Sequence, residues 1–221
     1  LPRLQRLNRV ADPKRLLPGT RLRFPVAWMK STSPAARLVA VDGDVQIEHV
    51  SSSAQRKAVA GATLHAGDIV RTRAGGHAAV AFFDGSVTSL HSDSTLLLDV
   101  LRAYAAGLNT IRMKLAPGRV ETRVRAQPSQ PSRFEIQTPA GITSVRGTDF
   151  RVSVPADAKL ARTEVRAGEV TVAGAGKEVI VAAGHGTVVR AGEPPATPLA
   201  LLPPPDLTGL PAIVVSLPAQ L

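Results

Sequence analysis

Residue types that could support catalysis or metal binding are scattered through this 221-residue chain. The densest group is His91-Ser92-Asp93, but neighbours on a strand face opposite sides and a catalytic triad is built from distant positions. The pattern is typical of a turn in which the hydroxyl and carboxylate bond backbone amides. Asp42-Gly43-Asp44 lacks the other ligands of an EF-hand loop and favours a β-turn. We therefore predict no catalytic residue and no metal site here.

The remaining reactive residues give the same answer. The five histidines form no close metal-ligand pair of the HExxH kind, and no G-x-S-x-G elbow is present. No glycine-rich phosphate loop leads into a helix. The absence of cysteine excludes disulfides and thiolate metal sites. The sequence thus predicts a protein that is not an enzyme and needs no cofactor.

Positive charge is concentrated at the N-terminus. Residues 1–37 hold nine Lys and Arg against one Asp, whereas residues 38–221 hold eighteen basic and sixteen acidic residues. Such a segment suits an anionic polymer or a lipid surface, and the alternative is a solvated helix with arginines for solubility. One Trp and one Tyr are too few for stacking platforms, so we do not expect nucleic acid as a partner. No apolar run reaches the ~18–20 residues of a membrane span.

Residues 38–192 read as a succession of short strands separated by turn glycines. The recurring unit is a turn glycine followed by a strand, as in AGDIV, PGRVE, AGEVT and AGHGT. Aromatic residues make up only 3% of the chain, which favours a core of thin, repeated layers. We predict an all-β domain built as a β-solenoid, with a β-sandwich as the alternative. Residues 103–108 read as a loop or one helical turn.

Residues 134–154 are the most informative stretch of this domain. A glycine inside a strand pattern indicates a bulge or a close backbone approach, and Arg146 stands beside Gly147. A buried arginine needs carboxylate or carbonyl partners. We predict that Arg146 ties two coils of the β-structure together and that Arg146→Ala costs ~3–5 kcal/mol of stability. The alternative is that Arg146 faces a binding partner, and an unchanged melting temperature with lost binding would support it.

Six sequence motifs distributed along the chain resemble those of the FecR domain family, over roughly residues 38–192. Four of them are AGDIVRT at 66–72, AVAFFDGS at 79–86, LAPGRV at 115–120 and RAGEVTV at 166–172; a fifth, VAAGHG, lies at 181–186. The most recognisable motif comprises Thr138 and Pro139 of a TPAG turn, followed by Val145, Arg146, Gly147, Thr148 and Phe150. The resemblance implies a periplasmic module. In the family's best-known members it relays the state of an outer-membrane iron transporter to a sigma factor.

The first 30 residues resemble the second half of a LysM domain. A helix is predicted to about Val10 and a short strand over residues 21–25. The resemblance implies binding to peptidoglycan, and Asn8, Pro18 and Gly19 sit at the matching places for glycan contact. Because the first strand and helix of such a module are missing, the half module need not form its groove.

These patterns divide the chain into four parts: a partial LysM-like segment at 1–30, a linker at 31–37, a FecR-like β-domain at 38–192, and a proline-rich linker or the start of a further domain at 193–221. Both ends read as cuts in a longer protein. We expect a non-enzymatic binding or scaffold protein of a Gram-negative cell envelope, associated with peptidoglycan and with a protein partner. The alternatives are a periplasmic transducer that regulates a sigma factor in iron uptake, and an architectural spacer.

Overall fold

The computed structural model describes residues 2–105, 107–126, 132–145 and 147–202, and these are mostly β-structure. One short helix, α1 (Pro2–Asn8), is followed by 3-10 turns at Pro13–Arg15 and Val26–Trp28. The strands are β1 Ser31–Thr32, β2 Ala36–Asp42, β3 Val45–His49, β4 Ser52–Lys57, β5 Thr63–Leu64, β6 Asp68–Thr72, β7 His77–Ala81, β8 Val87–Leu90, β9 Thr95–Tyr104, β10 Asn109–Leu115, β11 Gly118–Arg123, β12 Arg133–Gln137, β13 Ile142–Val145, β14 Asp149–Val154, β15 Leu160–Ala167, β16 Glu169–Gly174, β17 Lys177–Ala182, β18 His185–Arg190 and β19 Leu199–Ala200.

The strands form two open sheets. Sheet A has the order β17-β16-β13-β12-β10-β9-β6-β3-β4, with β1 paired to β9 outside this path. Sheet B has the order β19-β18-β15-β14-β11-β8-β7-β2-β5. The chain advances along both sheets as it passes from one to the other, so early strands lie at one end and late strands at the other.

The all-β class is confirmed, but the solenoid is not. Stacked coils of a solenoid would place successive strands side by side in parallel. Between the strands of the described residues, the pairs are antiparallel except for β10 with β12. Two open sheets that share one hydrophobic core correspond to the alternative, a β-sandwich.

Strict alternation of inward and outward side chains builds the core. Strand β14 buries Phe150, Val152 and Val154 on one face, and Phe150 is fully buried. Because large aromatics are scarce, buried threonines fill part of the interior. The Thr143 and Thr163 hydroxyls, one from each sheet, lie 3.1 Å apart in hydrogen-bonding contact. Such a pair satisfies two buried polar groups that would otherwise be costly.

The N-terminal residues pack differently from the sheets. None of residues 2–35 is buried, and Ala36 is the first residue of the core. Residues 21–25, predicted to be a strand, are irregular, so the described part of this segment shows no sheet before β1. Strand β1 lies within the segment predicted to be a linker and pairs with β9. The LysM-like unit is therefore not confirmed.

Two further elements differ from the sequence prediction. Strand β9 continues to Tyr104, because Arg102 and Ala103 pair with β10 and Tyr104 pairs with Ser31 of β1, so the predicted loop at 103–108 begins later. Strand β4 was not predicted, because its sequence SSAQRK has little apolar alternation and its pairing with β3 stabilises it instead. In the described residues, no helix has the length and apolar character that crossing a bilayer requires.

Candidate protein-interaction site

The four sheet ends differ in how well they could pair with another chain. Sheet B ends in two-residue strands, β5 and β19, which offer little backbone. Sheet A ends in β4 and β17, each six residues long. Strand β4 carries Arg56 and Lys57, and such charges discourage edge pairing. Strand β17 also begins with two charged residues, Lys177 and Glu178, but its last four residues, VIVA, are all apolar, so it is the more apolar of the two long edges.

The β16–β17 hairpin fixes which backbone groups point away from the sheet. Ala175 and Gly176 have φ of 47° and 75°, as a two-residue type I′ turn requires, and Gly174 pairs with Lys177. In such a hairpin this closing pair is hydrogen-bonded, and bonded pairs then recur at every second residue. The N–H and C=O groups of Glu178, Ile180 and Ala182 therefore point outward from the edge.

The side chains of β17 present apolar residues on both faces of the sheet. Val181 is fully buried in the core, whereas Ile180 is 64% exposed on the outer face of sheet A. A strand added beside β17 would continue both faces, with apolar residues over Val179 and Val181 and another near Ile180. The edge therefore fits an extended segment whose side chains alternate in the same way.

A cleft of about 350 Å³ opens on β12, β13 and β16, close to this edge. It is lined by Ser132, Arg133, Phe134, Ser144, Val145, Glu169, Val170 and Thr171. Val170 and Thr171 are the register partners of Val181 and Ile180 on β17. The cleft lies on the side of β17 away from an added strand, and we define the edge surface as β17 itself.

The motif at 145–150 contacts the start of the β16–β17 hairpin and so helps to position the edge surface. The Thr148 hydroxyl is buried and donates to the carbonyl oxygen of Glu169, the first residue of β16, over 2.7 Å. A Cβ on Gly168 would lie 3.0 Å from the Gly147 carbonyl oxygen and from the Thr148 hydroxyl. Two loops cross closely here, and a larger residue would separate them. The motif thus fixes where the β16–β17 hairpin begins.

The other motif residues also have structural contacts. Gly147 has φ of 74°, and a Cβ there would lie 2.6 Å from the Cβ of Ala126. The Thr138 hydroxyl donates to the Gly141 carbonyl at 2.9 Å and accepts from the Gly141 N–H at 3.0 Å, while Pro139 is exposed in that turn. Val145 and Phe150 are buried in the core.

Arg146, the residue on which the sequence prediction centred, lies outside the described residues. Its role stays a prediction. The sequence did indicate the alternation of Val179 and Val181, but nothing local shows that β17 ends its sheet. The residues of the edge surface were therefore not identified from the sequence. The feature that could have indicated them is the run KEVIVA directly after a two-residue turn.

The predicted glycan-binding residues belong to two different elements, the end of α1 and a turn. The Asn8 amide nitrogen donates to the carbonyls of Leu4 and Arg23, both at 2.9 Å, and its oxygen accepts the Arg23 N–H. The Asn8 side chain thus connects α1 to the irregular segment after it. Pro18 and Gly19 form an exposed turn, in which Gly19 has φ of 86°. Glycan binding by these residues stays a prediction.

A charged network crosses the outer face of sheet B, and it includes His91 of the HSD group. Arg151 bonds Glu121 at 2.6 Å and Glu164 at 3.1 Å, and the His91 ring lies 3.3 Å from Glu121. These contacts pair the charges across neighbouring strands. Asp42 and Asp44 flank Gly43, whose φ of 69° fits the predicted β-turn. Across the parts of the chain that the structure describes, no three His, Asp or Glu side chains are grouped to hold a metal ion.

The charged network shifts two pKa values. Burial raises the pKa of Glu121, but the hydrogen bond and charge of Arg151, with the charges of His91 and Arg119, outweigh burial and place the pKa below its usual 4.5. Burial lowers the pKa of His91 below 6.5; nearby cations act in the same direction, and Glu121 acts against them. The Glu121 carboxyl group is therefore ionised near neutral pH.

Comparison with known proteins gives one family. A search among curated proteins found no match. Two crystal structures of a proposed anti-sigma factor from Parabacteroides distasonis align with 60% of this chain and 59% of their own length. Their sequence identities are 18% and 17%, with TM-scores of 0.48 and 0.49. The chain thus spans less than two thirds of these proteins, and no conclusion about its function rests on them.

The family assignment rests on the sequence itself. The family model described as FecR protein matches residues 68–188, which is more than half of the chain. This range contains the motif at 145–150 and both strands of the β16–β17 hairpin. The chain therefore belongs to the FecR family.

Proposed function

We propose that this chain is the partner-recognition module of a signal-transduction protein in the bacterial cell envelope, acting on a sigma factor pathway. Membership of the FecR family supports this proposal, because the resemblance implies a periplasmic domain that passes a signal between proteins. The single observation that carries it is the open, apolar edge at β17, with Ile180 64% exposed. Recognition proceeds by addition of a strand from the partner, and involves no catalysis.

The edge is suited to a regulated contact. Outward backbone groups at three alternate residues supply main-chain hydrogen bonds, and the side chains of Val179, Ile180 and Val181 supply selectivity for the residues of the added strand. The Thr148 hydroxyl and the close contact of Gly147 with Gly168 fix the start of the β16–β17 hairpin, and so position the edge before binding. Preorganisation of this kind lowers the entropic cost of association.

A charge at the edge tests the proposal. Ile180→Lys places an ammonium beside the backbone groups that a new strand would need, and lysine on an edge opposes pairing. Val59→Lys is the matched control, because Val59 is 59% exposed and lies in the turn after β4, in another part of the domain. Each variant is immobilised, envelope extract of the native bacterium is passed over it, and retained proteins are identified by mass spectrometry.

We expect one saturable protein that binds the unaltered chain and Val59→Lys but not Ile180→Lys. Equal retention by Ile180→Lys would contradict recognition through this edge. The regulatory part is tested separately in the native bacterium, by measuring transcripts. Ile180→Lys is expected to change transcripts of one sigma factor's regulon, while Val59→Lys leaves them as in the parent. Unchanged transcripts despite lost binding would favour a scaffold or a spacer over a transducer.

Binding to peptidoglycan is a separate part of this proposal, and recognition through β17 does not depend on it. The Asn8 amide is already bonded to Leu4 and Arg23, and the segment at 21–25 is irregular, so a LysM groove has little support here. Sedimentation with purified peptidoglycan tests it directly. Pelleting that Asn8→Ala abolishes, with folding unchanged by circular dichroism, would restore the peptidoglycan-anchored reading. The link to iron rests on the family resemblance, and an outer-membrane iron transporter among the retained proteins would support it.

A further inference from the structure

The N-terminal segment, residues 2–30, carries positive charge that the protein does not neutralise internally. Eight Lys and Arg stand against the single Asp12, and all eight are exposed. Arg15 lies 3.6 Å from Asp12, in the one ion pair of this segment as the structure describes it. On the sheets, by contrast, arginines such as Arg71 and Arg112 bond carboxylates of neighbouring strands. The positive charge of the segment is therefore available to an outside partner.

The same segment exposes apolar side chains. Of the fourteen large hydrophobic residues exposed in the described part of the chain, seven lie between Leu7 and Trp28. Leu17 is 77% exposed and Phe24 52%, and the Phe24 and Trp28 rings pack edge to face at 6.1 Å. A segment that served only solubility would not place leucine, phenylalanine and tryptophan in water.

These groups are held in place by hydrogen bonds, although none of them is buried. The Asn8 side chain joins α1 to Arg23, and the Asp12 carboxylate caps the next turn at the Lys14 N–H. At the far end, the Ala105 N–H donates to the Lys30 carbonyl oxygen over 3.0 Å, and β1 pairs with β9. The segment thus has a defined conformation, and it is attached to sheet A through β1 and Lys30.

We propose that the N-terminal segment binds the surface of a bilayer that contains anionic phospholipids. Cationic side chains attract the headgroups, and exposed leucine and aromatic rings insert at the boundary between headgroups and acyl chains. Trp28 is suited to this boundary because its ring is apolar and its N–H is polar. A soluble polyanion would bind the cationic side chains but would leave Leu17, Phe24 and Trp28 in water. Because a lipid surface contacts both kinds of side chain, we infer that the partner is lipid. This surface is distinct from the edge surface at β17.

Trp28 is the only tryptophan, so its fluorescence reports on this segment alone. The full chain is titrated with vesicles of phosphatidylglycerol and phosphatidylcholine, and with vesicles of phosphatidylcholine only. We expect co-sedimentation and a blue shift of Trp28 emission with the anionic vesicles, and neither with the neutral ones. Added salt weakens binding, since exposed charges are screened within about 8 Å at 0.15 M.

Matched variants separate local charge from net charge. Arg6→Ser with Lys14→Ser and Arg21→Ser removes three charges from the segment, and is expected to weaken vesicle binding at least about tenfold. Its control is Lys57→Ser with Lys159→Ser and Arg190→Ser, which removes three exposed charges from the β-domain and is expected to bind as the parent does. Leu17→Ser with Phe24→Ser keeps every charge, and is expected to weaken binding and to reduce the blue shift.

Three outcomes would overturn the proposal. The first is no binding to anionic vesicles. The second is equal weakening by the control triple variant, which would mean that net charge alone is responsible. The third is binding to polyphosphate or duplex DNA as strong as to vesicles, with no blue shift of Trp28 and no effect of Leu17→Ser with Phe24→Ser. That third result would identify a soluble polyanion as the partner instead.

Discussion

The Thr148 hydroxyl donates a 2.7 Å hydrogen bond to the carbonyl oxygen of Glu169, which connects the family motif to the first residue of β16. The bond joins β14 of sheet B to the hairpin that ends sheet A, since Thr148 directly precedes β14. A motif recognised by its sequence therefore supports a surface elsewhere in the domain. Its residues need not contact a partner to be required for binding.

Replacing Thr148 by valine tests this connection. Valine keeps the shape of threonine but cannot donate, so the Glu169 carbonyl loses its buried partner. We expect a loss of about 1–3 kcal/mol in the free energy of unfolding, measured with urea. Thr197→Val is the control, because Thr197 is exposed, and we expect a change within about 0.5 kcal/mol. Equal stability of the two variants would show that the bond contributes little.

Gly147→Ala tests the close approach of the two loops. Gly147 and Gly184 have nearly the same φ, 74° and 75°, so alanine suffers similar backbone strain at both. Only at Gly147 would the new Cβ meet a neighbour, at 2.6 Å from the Cβ of Ala126, whereas Gly184 has open space. We expect Gly184→Ala to cost about 1–2 kcal/mol and Gly147→Ala at least about 1 kcal/mol more, in thermal or urea unfolding. Equal losses would mean that Ala126 moves aside freely.

Phe150→Ala tests the core that the motif supplies. Phe150 is fully buried, and truncation of such a side chain leaves a cavity that costs about 3–5 kcal/mol. Phe24→Ala makes the same chemical change at a ring that is 52% exposed, and we expect a loss below about 1 kcal/mol. Urea unfolding of both variants gives the comparison. Similar losses would contradict the assignment of Phe150 to the core.

The charged network of sheet B predicts a loss of stability in acid. Because the pKa of Glu121 is lowered in the folded state, its contribution is complete above 4.5 and is lost as the pH falls through the lowered value. The lowered pKa of His91 gives a second loss, as the pH falls from 6.5 towards the folded-state value. We expect Glu121→Gln to flatten the profile below pH 4.5 and, because Glu121 holds the pKa of His91 up, to increase the loss that begins at 6.5, measured by urea unfolding across this range.

Glu193→Gln is the control for that profile, because Glu193 is exposed and lies outside the network. It is expected to follow the parent protein at every pH. A Glu121→Gln profile that is as steep in acid as that of the parent would show that other carboxylates cause the loss. His91→Gln is expected to remove the upper part of the slope and, because the charge of His91 helps to lower the pKa of Glu121, to reduce the lower part.

Local patterns in the sequence determined the positions of most strands and the family of this protein. Alternation of apolar and polar residues placed most strands, such as β14 and β16, because a half-buried strand has a period of two. The ordered motifs identified the family, which the match over residues 68–188 confirmed. The same alternation arises in a solenoid and in a sandwich, so it could not decide between them.

Only the tertiary structure decided which strands pair and which strand lies at an edge. Pairing partners such as β13 and β16 are separated by two strands that belong to the other sheet, and no local pattern encodes that choice. The position of β17 at the end of sheet A follows from the whole strand order, as does the contact of Thr148 with Glu169. Likewise, the sequence showed the charge around Asn8, but only the folded chain showed its amide bonded to Leu4 and Arg23. Residue types and periods are local properties, whereas edges and contacts arise from long-range packing of the complete chain.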